Sequence, residues 1–153
     1  MSKIKLLISA CLVGENVKYN GGNNLLNDLV KLSDIFELVP VCPEVLGGMT
    51  IPRLPSEIIQ TNPLKIINEY DIDMTPHFID GAVQTEFIAS KYDIKIALLK
   101  ANSPSCGNEM IYDGNFNGTL VEGSGVTANL LKQKGIKVFN ENQLEQLYAY
   151  IKQ

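Results

Sequence analysis

The chain is short of three things: paired cysteines, basic charge and long apolar runs. Of its 153 residues only three are cysteine, Cys11, Cys42 and Cys106, and no Cys-x-x-Cys pair occurs. Structural zinc sites need four ligands, with close-spaced pairs, so that spacing argues against them. Three thiols cannot all be structural disulfides, and one is left over in any pairing. Lys and Arg number 13 against 17 Asp and Glu, for a net charge of −4. An acidic balance of this kind argues against a nucleic-acid duplex as partner. No apolar run approaches the length that spans a bilayer, so no membrane partner is expected. There is also no internal repeat, low-complexity tract or linker.

Ile8-Ser9-Ala10-Cys11 has the look of a lipoprotein cleavage box. The apolar stretch before it is only Leu6-Leu7-Ile8, too short for a secretory h-region, and a cytoplasmic location is expected. Apolar residues make up 45% and charged residues 20%, as in ordinary globular chains, and the length suits one domain.

What is present is alternation. Lys3–Ser9 reads as a first strand, mostly apolar and therefore covered on both faces. After the turn cluster Asn20–Asn23, Leu25, Leu29, Leu32 and Phe36 recur at helical spacing, with Leu26 and Val30 widening the stripe. Glu37–Val41 is a second strand. The stretch from Cys42 to Pro55 carries three prolines and two glycines, which predicts neither regular helix nor central strand. Leu64–Asn68 reads as a short strand or hairpin arm. Thr75 and Pro76 open a helix as N-cap and first residue, with Ile79, Val83 and Phe87 as its buried face. Ile94–Leu99 is a third apolar strand. Residues 111–116 predict a hairpin or excursion around Asp113-Gly114. A helix then opens near Gly125 and stops at Gly135, a last strand runs Ile136–Phe139, and Asn140 with Gln143 resembles a capping box before a final helix. The expected fold is an α/β three-layer sandwich with a mainly parallel, Rossmann-like sheet.

Each cysteine follows a predicted strand. In a parallel sheet all three would reach the carboxyl edge, where ligands bind. Three readings stay open on spacing alone: a metal cluster, a thiol nucleophile, or small buried hydrophobes. A 4Fe-4S cluster on three cysteines leaves one iron without a protein ligand, which makes sense where that iron binds substrate. Glu44, two residues past Cys42, could act as general base or proton shuttle, or be a solvated loop carboxylate. Ser103 and Ser105 flank Pro104 beside Cys106; they could bond a substrate heteroatom or merely satisfy turn amides. Gly123-Ser124-Gly125 could cradle an anion but reads first as a helix start. Arg53, between two prolines, could hold a substrate or pair with Glu57. His77 could complete a zinc site with the three cysteines, but its place in the first turn of a helix reads as an ordinary exposed or capping residue.

Several stretches together resemble the thiouracil desulfidase family: Ser9-Ala10-Cys11-Leu12, Tyr19-Asn20-Gly21-Gly22, Val41–Gly48, Pro52-Arg53, Leu99-Lys100, Ser103–Gly107, Ile111–Gly114 and Gly125–Ala128. They run in order over nearly the whole chain. One departure is Leu54 where a second proline often follows the arginine, which bears on pocket shape. The resemblance implies a single 4Fe-4S-binding desulfidase domain over residues 1–153, with cluster ligands Cys11, Cys42 and Cys106 and one open iron. It implies non-redox removal of sulfur from thiouracil or a related thiolated nucleobase or nucleoside, the sulfur bound at the open iron. The family's catalytic carboxylate and serine fall on Glu44 and Ser103. The expected partner is a small thiolated pyrimidine; the acidic balance favours a free base or nucleoside over the thiolated tRNA on which larger relatives act. Two rival functions remain, a cysteine-persulfide sulfur carrier and a non-enzymatic cluster-binding protein.

Overall fold

The computed structural model describes residues 3–152. Met1, Ser2 and Gln153, the ends of the expected 1–153 domain, lie outside the described residues. The first half of the chain runs β1 (Ile4–Ser9), a 3-10 turn (Ala10–Val13), α1 (Leu29–Ile35), β2 (Phe36–Val41), the single turn α2 (Pro43–Leu46), β3 (Ser56–Thr61) and β4 (Leu64–Asn68). The second half runs α3 (Thr75–Lys91), β5 (Ile96–Leu99), β6 (Met110–Tyr112), β7 (Leu120–Glu122), α4 (Val126–Gln133), β8 (Lys137–Asn140) and α5 (Leu144–Ile151).

Four strands form one parallel sheet in the order β2-β1-β5-β8. Side chains alternate across it. Leu7, Ala97, Leu99 and Val138 pack with Ala89 of α3 and Ala128 and Leu131 of α4. Leu6, Ile8, Leu98 and Phe139 pack on the opposite face with Leu32 of α1 and Leu147 of α5. Burial on both faces explains why Leu6-Leu7-Ile8 reads as an unbroken apolar run; each such side chain contributes about 1.5–3 kcal/mol on leaving water. The result is the expected three-layer α/β sandwich. The chain steps from β1 outward to β2, then crosses back to β5 on the other side of β1. The loops after β1 and β5 therefore diverge, which opens a crevice at the carboxyl edge.

Two antiparallel hairpins, β3–β4 and β6–β7, stand outside that sheet. They share a smaller apolar cluster of Met49, Ile58, Ile66, Phe78 and Ile111. Among the described residues, no helix is long and apolar enough to cross a membrane.

Several expectations are corrected. The helix predicted from Leu25 begins only at Leu29, and Phe36 already belongs to β2. The segment before it is extended and bonded along the turn that carries Cys11, through Asn24 N–H to the Cys11 carbonyl and Leu26 N–H to that of Leu12; Leu25 and Val30 face solvent. On α3 the predicted buried face is the exposed one: Ile79, Val83 and Phe87 lie outward, Phe87 at 63% exposure, while Phe78, Gly81, Ala82, Thr85 and Ala89 are buried. Close approach explains the inversion. A β-carbon on Gly81 would run into the Pro43 carbonyl, and one on Gly47 into that of His77. Small residues are needed where α3 meets the Pro43–Gly47 turn, so Gly81 and Ala82 are inside with Phe78, and Ile79, Val83 and Phe87 are left outside. Thr75 is the first helical residue rather than the cap; bonding to Thr75, first to its side chain and then to its N–H at 2.9 Å, holds the Asp73 carboxylate below its usual range. The proline-rich stretch does contain one helical turn, α2, because Pro43 stands at its first position, where no N–H is needed. The strand β3 was not foreseen. Gln143 bonds back to Asn140 N–H at 3.0 Å as a capping box would, but the Asn140 oxygen takes Asn142 N–H and the helix starts at Leu144.

Candidate functional site

Cys11 sits in the 3-10 turn after β1, Cys42 directly after β2, and Cys106 in the loop after β5. All three line one cavity of about 550 Å³ at the carboxyl edge of the sheet. Cys11 and Cys106 are buried and Cys42 half-buried.

The Cys106 loop is held by closed hydrogen bonding. Ser103 Oγ accepts from both Ser105 N–H and Cys106 N–H, each at 3.0 Å. The start of α4 then donates to the loop's carbonyls: Val126 N–H to Pro104 and Thr127 N–H to Ser105, both at 2.9 Å, and Gly125 N–H to Gly107 at 2.7 Å. Gly125 has no room for a side chain against the Ser105 backbone. The Gly123–Gly125 segment is therefore a brace for the cysteine loop, and its glycine amides already have protein acceptors, Glu109 O and Gly107 O. Ser105 is also structural, since its buried hydroxyl pairs with Thr127 Oγ1 at 2.8 Å. Ser103 lines the cavity. With both acceptor positions of its oxygen filled, what it has left to offer is its hydroxyl hydrogen.

Glu44 lies in the first turn of α2, next to the Gly47–Gly81 contact that clamps this turn on α3. Its Oε2 accepts from Arg53 Nη2 at 3.2 Å, and both side chains are mostly buried. Arg53 also donates through Nη2 to Val17 O at 2.9 Å and through Nη1 to Thr50 O at 3.2 Å. Its partner is thus Glu44 and not Glu57. The buried Glu57 instead accepts Gly114 N–H at 2.9 Å and Phe116 N–H at 3.2 Å, fixing the turn between β6 and β7.

Around Cys11, Asn24 Nδ2 donates to Sγ at 3.4 Å. Lys100 lines the same cavity, its ammonium 2.7 Å from Glu141 Oε2, while Ala101 N–H bonds the other Glu141 oxygen. Neither Asn24 nor Glu141 was singled out from the sequence; both sit in polar turns where nothing local distinguishes them. The hairpins and α3 add Ser56, Tyr112 and Phe78 to the lining, and the loop after α2 adds Met49. Ser56 Oγ is the one buried side-chain polar atom among the described residues with no protein hydrogen-bond partner.

Burial pushes all three thiols above the ordinary thiol range, and the negative charge of Glu44 adds to this; at Cys11 the Asn24 bond and Lys100 oppose it. Thiolates in such surroundings need a positive counter-charge, which a metal centre supplies. Among the described residues, no three His, Cys, Asp or Glu side chains stand close enough to share a single metal ion. His77 lies outside the cavity, with Nδ1 2.8 Å from Gly47 O. A zinc ion on the three cysteines and His77 has no support in this arrangement. Three soft sulfur donors lining one cavity have the donor chemistry that iron–sulfur clusters take, and in that respect the residues fit such a cluster.

Comparison with known proteins agrees with this chemistry. The profile of the 2-thiouracil desulfurase family matches residues 6–143. The uncharacterized protein YbbK of Bacillus subtilis (strain 168) is 40% identical over 93% of this chain and 99% of its own length. Among solved structures, the [4Fe-4S]-dependent thiouracil desulfidase TudS superposes with a TM-score of 0.91 at 38% identity, over 98% of this chain and 99% of that one. A profile match over most of the sequence and a backbone shared nearly end to end lead to one conclusion: this chain belongs to the 2-thiouracil desulfurase family.

Proposed function

We propose that this protein removes sulfur from a small thiolated pyrimidine of the thiouracil type, exchanging it for oxygen from water with no net redox change, and that residues 1–153 act as one domain. The observation that carries the reading is the meeting of three cysteines and the half-buried Glu44 carboxylate on one cavity. A 4Fe-4S cluster held by Cys11, Cys42 and Cys106 would supply an iron with no protein ligand, a Lewis-acid site for the substrate's sulfur.

The chain's own groups do the rest. Glu44 takes a proton from the water that adds to the sulfur-bearing ring carbon. Its Oε2 is held by Arg53, so Oε1 is the oxygen left for that proton. Ser103 gives its hydroxyl hydrogen to a ring nitrogen as the carbon becomes tetrahedral. The two amides already aimed at Ser103 Oγ offset the negative charge this leaves. As the new hydroxyl becomes the carbonyl, its proton goes back to Ser103, the carbon–sulfur bond breaks, and the sulfur leaves as hydrosulfide with the proton that Glu44 held. Met49 and Phe78 give the cavity an apolar wall against which a flat ring can lie.

The persulfide-carrier alternative asks for an acidic, exposed thiol, whereas burial here acts in the opposite direction. The test is anaerobic purification or reconstitution, quantification of iron and sulfide, and turnover of 2- and 4-thiouracil followed through uracil and sulfide. The expected result is a brown protein that releases both, and a Glu44→Gln variant that keeps its iron while kcat falls about 10²–10⁴-fold. Colourless, iron-free protein would overturn the cluster. Full turnover by Glu44→Gln would overturn the role of the carboxylate and favour a cluster-binding protein without this chemistry.

A further inference from the structure

The guanidinium of Arg53 is a cation with only 7% of its side chain exposed, and its contacts come from separate parts of the chain. Nη2 reaches Val17 O, in the loop that follows Cys11, and Glu44 Oε2, in the turn that follows Cys42. Nη1 reaches Thr50 O, and the backbone N–H of Arg53 donates to Tyr19 O at 2.7 Å. Val17 O also accepts a long contact from Cys42 Sγ, at 3.9 Å. One planar group thus links the segments after two of the three cysteines, and it does so through the same nitrogen that holds the carboxylate.

We infer that Arg53 is the positioning residue of this site: it straps the Val17–Tyr19 loop to Glu44 and fixes which carboxylate oxygen faces the reacting water. The inference rests on the desulfidase reading for its kinetic consequence, but not for the strap itself. Arg53 lines the cavity, and three of its five N–H donors have protein acceptors; both hydrogens of Nη2, the nitrogen that meets Glu44, are among them, so its hold on the carboxylate is fixed. Lysine replaces it only in part, because a single ammonium on a flexible stem does not present the planar fork that meets these acceptors together. The two prolines around Arg53, Pro52 and Pro55, restrict the backbone from which the side chain is launched.

The experiment uses the cluster-loaded enzyme and three variants, Arg53→Gln, Arg53→Lys and Glu44→Gln/Arg53→Gln. Iron content and visible absorption should match the parent in all of them. In Arg53→Gln, kcat for thiouracil should fall about 30–100-fold while KM stays within about twofold, the pattern of a lost transition-state interaction. Arg53→Lys should lie between that variant and the parent. The double variant should be no slower than Glu44→Gln alone, since a residue acting through another adds nothing once that other is gone. Independently of turnover, amide hydrogen exchange in Arg53→Gln should speed up in both the Val17–Tyr19 and Glu44–Met49 segments and be unchanged in the sheet. Additive losses in the double variant, or a raised KM with kcat intact, would show Arg53 touching substrate and overturn the inference. Unchanged exchange in the two segments would overturn it as well. If the parent fails to act on thiouracil at all, the desulfidase reading falls, and the exchange measurement alone decides the strap. If Arg53→Gln does not fold, the same readouts on Arg53→Lys decide.

Discussion

The two sides of the cavity are built in different ways. On the sheet side, the cysteine loops are closed networks: α4 donates to the Cys106 loop, Ser103 caps its turn, and Gly47 and Gly81 interlock the Glu44 turn with α3. On the hairpin side Met49 and Phe78, part of a small separate apolar cluster, line the cavity with Tyr112; the Glu57 carboxylate there is turned to the β6–β7 turn, and Ser56 leaves a polar atom without a partner. The difference suggests a division of labour. Groups that handle a cluster and a reacting water need fixed positions, which only dense backbone contacts supply. A wall that meets the flat face of a ring needs shape and dryness, which apolar side chains supply without direction.

The strongest way to break this comparison is Gly81→Ala. Inside a helix this change normally gains about 1 kcal/mol. Here the new methyl group meets the Pro43 carbonyl, next to Cys42, and α2 must move or α3 must bend. The expected outcome is a loss of about 3 kcal/mol, the upper end for overpacking, and a Tm lower by roughly 6–12 °C for a chain of this length. Iron uptake on reconstitution should fall with it, because the displaced turn carries both Cys42 and Glu44. A stabilised Gly81→Ala that loads iron normally would show that the sheet side is looser than the packing implies.

The next effect in size separates the two jobs of Ser103. Ser103→Ala removes the acceptor for two backbone N–H groups and the hydroxyl that faces the cavity. Thermal denaturation should show a loss of about 2 kcal/mol, since two amides are left unpartnered, or roughly 4–8 °C in Tm. Thiouracil turnover should fall about a hundredfold beyond any loss of iron. Turnover that merely tracks iron content would leave Ser103 a turn residue and nothing more.

How much of this was legible from sequence follows from what the pattern measures. The apolar runs Leu6–Ile8 and Ile96–Leu99 announced central strands because burial on both faces leaves no room for polar residues, and the cysteines were therefore correctly placed past strand ends. Hydrophobic spacing registers how greasy a residue is and not how close a neighbour lies, so on α3 it chose Ile79, Val83 and Phe87 over the glycine and alanines that touch the core. Arg53 stood out as a charge between prolines, but its partner could not be read, since Val17, Glu44 and Thr50 come together only in three dimensions. Glu57, close by in sequence, was the natural guess and is committed elsewhere, to Gly114 and Phe116. The strand β3 was hidden by the proline tract before it, and with it went any view of the far wall.

That wall supplies the smallest effect and the sharpest contrast. Ser56 opens β3, opposite Asn68 of β4, and its side chain shares a strand face with Ile58 of the hairpin core. A hydroxyl buried there without a protein partner carries a desolvation penalty that nothing in the fold offsets. Ser56→Ala should therefore raise stability by about 1 kcal/mol, seen as a Tm about 2–4 °C higher, with iron content unchanged. On the sheet side the same kind of truncation, Ser103→Ala, lowers stability, so one chemical change has opposite signs on the two walls. If Ser56→Ala lowered Tm as Ser103→Ala does, the hairpin side would be as fully networked as the sheet side, and the distinction between a fixed rim and a dry wall would collapse.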